Sequence, residues 1–189
     1  MMNILGIDSS GLVASVALQS DDKLVGEYTI HNKKTHSQTL LPMIHDMLEM
    51  ADVSVKELDA IAIASGPGSF TGLRIGSSTA KGMALALKKP ILSIPTLEGL
   101  AYRLTPVTDE LVCPLMDARR NQDYTGIYQN KKEGIEAVRQ QEAVAIEELI
   151  EQVNALERPI VFLGDGVPVQ KEALEAMKEE VSYMPLIRI

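Results

Sequence analysis

Hydrophobic and polar positions alternate at the start of the chain. Residues 3–8 form a short apolar run closed by Asp8, followed by the turn-forming Ser9, Ser10 and Gly11. Residues 13–18 and 24–30 read as two more strands, separated by the polar turn at residues 20–23. The period then changes. Leu40, Met43, Ile44, Met47, Leu48 and Ala51 recur at three- and four-residue spacing, which predicts a helix over 40–51. Thr39 is its expected N-cap, with Pro42 near the start, where a missing N–H does no harm. Ser54 and Glu57 have capping-box spacing for a short turn. Residues 59–65 read as a buried strand, 71–88 as a second helix, 91–94 as a strand and 96–104 as a helix.

The pattern then begins again. A linker is expected at 105–110. Strands follow at 111–117, 124–129 and 136–143, a helix at 146–156, a strand at 160–163 and a helix at 168–181, with a last strand at 184–189. Both halves read as three strands, helix, strand, helix. The expected class is therefore α/β with duplicated βββαβα lobes, an N-terminal lobe over 1–106 and a C-terminal lobe over 107–189. Asp8 and Asp117 end the first strand of each half, and glycine turns at Gly66 and Gly164 end the fourth. Such a duplication sets two sheets across a cleft, and ligands in α/β sheets gather at the carboxyl ends of strands.

Composition narrows the classes. With 46% hydrophobic and 23% charged residues, the chain is an ordinary folded globular sequence. No apolar run is long enough for a membrane span, and no basic segment precedes an apolar one at the N-terminus. These features and the lone Cys113 lead us to expect a cytoplasmic protein with a reduced core thiol. The net charge of −8, from 18 basic and 26 acidic residues, opposes strong direct binding to nucleic acid.

Several motifs fail. The loop from Gly66 to Gly72 joins a strand to a helix N-terminus, as phosphate-binding loops do, but its third glycine is one residue late for the dinucleotide fingerprint. No Gly-Lys-Ser/Thr follows for a P-loop. Loop chemistry alone favours a tight turn that packs a helix closely on a sheet. Asp8 and Asp117 could bond turn amides or reach Mg²⁺ through water. His36 and His45, nine residues apart, fall on opposite sides of one helix and share no metal. No serine-nucleophile elbow exists. Two stripes remain. Gly72, Gly76, Ala80 and Ala84 recur every four residues, and Met43, Met47 and Met50 lie on the preceding helix. Either stripe serves the core or a partner.

The string Ser65-Gly66-Pro67-Gly68-Ser69-Phe70-Thr71-Gly72-Leu73-Arg74-Ile75-Gly76 is highly specific. Together with residues 4–10, 36–42, 116–122 and 164–166, it resembles the TsaB (YeaZ) family. That resemblance implies the actin-like ATPase fold of the sugar kinase and heat-shock chaperone superfamily. It also implies a role in making threonylcarbamoyladenosine beside the tRNA anticodon, as the non-catalytic partner of the paralogue TsaD. TsaD holds a metal with a His-x-x-x-His pair, and this chain has no such pair. Neither independent catalysis nor protease activity is expected. The implied partners are TsaD, a TsaE-type ATPase and, in isolation, a second copy of the chain. No cofactor is required, although weak ATP or ADP binding with Mg²⁺ would engage Asp8, Ser9, Ser10, Gly66, Gly68, Asp117 and Gly164. The expected interface comprises Leu40, Met43, Ile44, Met47, Gly72, Gly76, Ala80 and Met83. Members of that family run on past residue 189, which implies a C-terminal lobe cut short or incompletely ordered at its end. A small-molecule kinase of the same fold is the alternative.

Overall fold

The computed structural model describes residues 1–31, 35–104, 109–131, 134–177 and 181–183. It divides into two compact units, Met1–Thr96 and Leu97–Ile189.

In the first unit, β1 (Asn3–Asp8), β2 (Ala14–Ser20) and β3 (Lys23–Ile30) form an antiparallel meander. Helix α1 (His36–Met50) and a single 3-10 turn (Val55–Glu57) lead to β4 (Ala60–Ala64), which lies parallel to β1. Helix α2 (Phe70–Leu87) then returns the chain to β5 (Ile91–Ile94), parallel to β4. The sheet order is β3-β2-β1-β4-β5. Period-two alternation puts Leu5 and Ile7 of β1 and Val16 and Leu18 of β2 on one face. Leu40, Met43, Ile44, Met47 and Leu48 of α1, with Ala80 and Ala84 of α2, cover that face. The capping box forms as expected: Glu57 Oε2 accepts from Ser54 N at 2.7 Å, and Ser54 Oγ accepts from Lys56 N at 3.4 Å.

Helix α1 starts earlier than its apolar period. Thr35, not Thr39, holds the N-cap position, without a side-chain bond. Pro42 therefore falls inside the helix. The polar residues 36–39 carry no hydrophobic signal, which hid that first turn.

The second unit repeats the plan. Helix α3 (Thr96–Tyr102) precedes β6 (Leu111–Arg119), β7 (Gln122–Lys131) and β8 (Gly134–Val144), and α4 (Ile146–Asn154), β9 (Ile160–Leu163), α5 (Lys171–Glu175) and β10 (Val181–Tyr183) follow. The order β10-β9-β6-β7-β8 is that of the first sheet read from its other edge. Both faces of β6 are covered. Leu111, Cys113 and Leu115 face α4 and α5, while Val112 and Met116 pack with Leu97, Ala101 and Leu104. That second cluster draws α3 into the second unit, so the division falls at Thr96 rather than at residue 106. The expected linker at 105–110 lies mostly outside the described residues, as does the expected strand at 184–189. The helix expected from 168 begins only at Lys171, because a turn tied to β6 occupies residues 164–170.

Candidate functional site

At the carboxyl end of β1, Asp8 Oδ1 accepts from both the backbone N–H (2.8 Å) and the hydroxyl (2.6 Å) of Ser10. The loop after β4 is pressed onto this turn. Ser69 N–H donates to Ser10 O at 2.6 Å, and Gly72 N–H donates to Ser69 Oγ at 3.2 Å. Buried Ser9 donates its hydroxyl to Gly72 O at 2.9 Å. Gly66 and Gly68 have φ of +110° and +153°, and a Cβ on Gly68 would overlap Ser10 O. Only glycine fits there, on conformation and space together. The donors that a phosphate would need from Ser10, Ser69 and Gly72 are bonded inside the protein. Asp8, Ser9, Ser10 and Gly68 thus come together in one packing joint, with Gly66 at the start of its loop.

His36, in the first turn of α1, completes this joint. Its Nε2–H donates to Gly11 O at 2.9 Å, and its ring lies against Gly72. His36→Ala should cost about 1 kcal/mol. It should also speed amide exchange in the β1–β2 turn, as hydrogen exchange would show. Unchanged protection there would remove His36 from the joint.

In the second unit, Asp117 Oδ1 accepts from Arg119 N–H at 2.7 Å, the turn-amide arrangement, and Oδ2 lies 3.4 Å from the Arg119 guanidinium. Gly164 has φ of +115°, and a Cβ there would overlap Leu115 O. Two further acids join this end of the sheet. Asp123 pairs across from Asp117 in the β6–β7 ladder, and Asp165 lies in the turn after β9. Asp123 is 1% exposed. Its Oδ2 accepts from Gln170 Nε2 at 2.7 Å, while Oδ1 has no partner; neither has Asp165 Oδ1. Burial pushes the Asp123 carboxyl up to about 6, against the Gln170 bond and with help from the negative Asp117 and Asp165. Burial also raises Asp165. Asp165 stands in the Gly164-Asp165-Gly166 string, but Asp123 gave no motif. Its only sequence signal is that it keeps phase with the inward Thr125 and Ile127. The Cys113 thiol, fully buried, is pushed up to about 12, which leaves it inert as a nucleophile.

The interface expected on α1 and α2 needs correction. Leu40, Met43, Ile44, Met47, Gly72, Gly76 and Ala80 are buried within the first unit. A Cβ on Gly72 would overlap Ser9 O, and one on Gly76 would overlap Ser9 Oγ and meet Ile63 Cδ1 at 3.0 Å. The small-residue stripe exists so that α2 can lie directly on β1 and β4. Met83 is only partly buried, and it lines an open groove of about 460 Å³ with Leu41, Ile44, Leu48, Val53 and Val55. Leu41, 57% exposed, is the residue that the reading of buried periodicity missed. It follows a buried position in sequence, so no helical period marks it. Among the described residues, the trio of metal-ligand type whose atoms approach within 4.8 Å is His45, Asp46 and Glu49, all exposed on α1.

The comparisons with known proteins agree on kinship. Residues 23–184 match the family model described as "TsaD: tRNA N6-adenosine threonylcarbamoyltransferase". The chain is 38% identical over 174 residues to the tRNA threonylcarbamoyladenosine biosynthesis protein TsaB of Bacillus subtilis (strain 168), covering 92% of this chain and 76% of that one. The chain belongs to the TsaB family. YeaZ from Pseudomonas aeruginosa superposes with a TM-score of 0.85 at 30% identity, over 98% of this chain and 84% of that one. A ROK hexokinase from Thermus thermophilus superposes with a TM-score of 0.52 at 12% identity, over 96% and 92% of the two chains, and shows a shared fold only. The chain thus has the actin-like, sugar-kinase fold that the resemblance implied, with the duplicated order in its two sheets.

Proposed function

We propose that this chain is the non-catalytic partner subunit in tRNA threonylcarbamoyladenosine biosynthesis, acting in complex with the paralogue TsaD. The carrying observation is the relationship to TsaB of Bacillus subtilis across 92% of the chain. A TsaE-type ATPase is the third component in this reading, and a second copy of the chain takes the partner's place in isolation. The closed Asp8–Ser69 joint supports a subunit that needs no nucleotide of its own. Net charge of −8 supports leaving the tRNA grip to other subunits. No helix among the described residues is long and apolar enough to cross a membrane, which accords with work in the cytoplasm.

The docking surface we assign is the outer side of α1 with the groove ending at Met83, not the buried stripe. Large apolar groups there remain uncovered, with Leu41 57% and Met50 90% exposed. Leu41→Asp should leave stability within about 0.5 kcal/mol, because the side chain faces solvent. It should weaken capture of TsaD at least about tenfold, a loss of some 1.4 kcal/mol. Co-purification with TsaD, followed by tRNA modification with each component omitted, tests the whole reading. Full modification without this chain would sink the function, and wild-type TsaD capture by the Leu41 variant would sink the surface.

A further inference from the structure

The end of the second sheet holds three carboxylates, from Asp117 on β6, Asp123 on β7 and Asp165 in the turn after β9. Buried charge is neutralised by a cation, a metal or a proton, or it is not tolerated. Arg119 is already placed on Asp117 and is itself largely exposed. The three acids do not converge on a common point as metal ligands do. Asp123 Oδ1 is buried without a partner and lies against Gly166, leaving no opening there for a hydrated ion. Of the three neutralisers, a proton needs no such opening.

We propose that Asp123 keeps its proton in mildly acidic solution, and that losing it toward neutral pH loosens the turn at 164–170 and makes the C-terminal unit pH-sensitive. The groups facing it are Asp117 and Cys113 from β6, Asp165 from the turn, and Gln170 before α5. Asp117 and Asp165 both oppose ionisation, the thiol of Cys113 is neutral, and Gln170 alone favours the charged form. The moving part is the turn, because it is attached through groups beside the acid. Gly166 N–H donates to Leu115 O at 3.0 Å, and Gln170 holds Asp123 Oδ2. An ionised Asp123 beside Asp165 pushes on that attachment.

The sign follows from linkage. A folded-state pKa near 6 stands above the ordinary Asp value of about 3.9. The stabilising effect is therefore complete below about pH 4 and is lost as pH rises through about 6. Asp165, also raised, adds in the same direction.

The test uses the full chain with ¹³C-labelled aspartate carboxyls, titrated by NMR from pH 4 to 8, the Asp123 signal being assigned with Asp123→Asn. A midpoint near 6 is expected, and a midpoint near 3.9 overturns the proposal. The titration itself is read on the wild-type chain, the variant serving only to assign the signal. In parallel, the wild-type melting temperature should fall on the order of 5 °C from pH 5 to pH 8. Asp123→Asn should remove at least half of that slope. A flat wild-type profile, or an undiminished slope in the variant, overturns the proposal. So does full recovery of the lost stability at pH 8 by millimolar CaCl₂ or MgCl₂ in the wild type alone, since a metal would then be the native counter-charge.

Discussion

Replacing Gly76 with leucine should destabilise the N-terminal unit by about 3 kcal/mol or more, at every protein concentration. The new side chain must start where Ser9 Oγ already is, with Ile63 Cδ1 3.0 Å from its Cβ. Neither neighbour can retreat cheaply. Ser9 is bonded to Gly72 O at 2.9 Å, and Ile63 belongs to the buried core. Helix propensity works the other way, since leucine gains close to 1 kcal/mol over glycine in a helix. The clash must exceed that gain. Gly82, on the same helix, separates the two effects, because a Cβ there meets nothing within 4 Å. Gly82→Ala should therefore raise the melting temperature slightly while Gly76→Leu lowers it by roughly 10 °C or more. Thermal scans by circular dichroism at two concentrations tenfold apart decide the matter. A Gly76 variant that melts like the wild type, or whose loss vanishes at high concentration, would show that the stripe faces a partner after all.

The second large effect is expected at Met47. This side chain is 6% exposed inside the first unit's core. Met47→Asp buries a carboxylate without a partner, which should cost on the order of 3–5 kcal/mol at neutral pH. The penalty belongs to the ionised form. It should shrink as pH falls toward the ordinary Asp value of about 3.9, below which the group is protonated in both states. Met50, three residues on and 90% exposed, provides the contrast. Met50→Asp should stay within about 0.5 kcal/mol of the wild type. Urea titrations of the two variants at pH 7 measure the difference directly. Equal midpoints would mean that Met47 is not covered by its own unit.

These two sites show what each level of description could decide. The four-residue spacing of Gly72, Gly76, Ala80 and Ala84 was plain in the sequence, and so was the conclusion that something must approach closely. Which surface approaches was not, because a small residue records only the absence of side-chain volume. The fold shows that the neighbour is the chain's own turn after β1 and strand β4, through Ser9 and Ile63. Likewise, three- and four-residue spacing identified the inward face of α1 but said nothing of Leu41, whose exposure depends on where the neighbouring segment carrying Val53 and Val55 passes.

The duplicated order of strands and helices, the capping box at Ser54 and the turn glycines were legible from the chain alone, since they rest on interactions between near neighbours and on local backbone freedom. The specific loop string likewise carried the family. Tertiary structure decided the rest. It drew α3 into the second unit through a core on the far face of β6. It also closed the Ser10–Ser69 joint over a loop that could have cradled a phosphate, and it gathered Asp123 with Asp117 and Asp165. Each of these depends on contacts between residues distant in sequence, and burial, which sets the energy of a polar group, exists only once those contacts have formed.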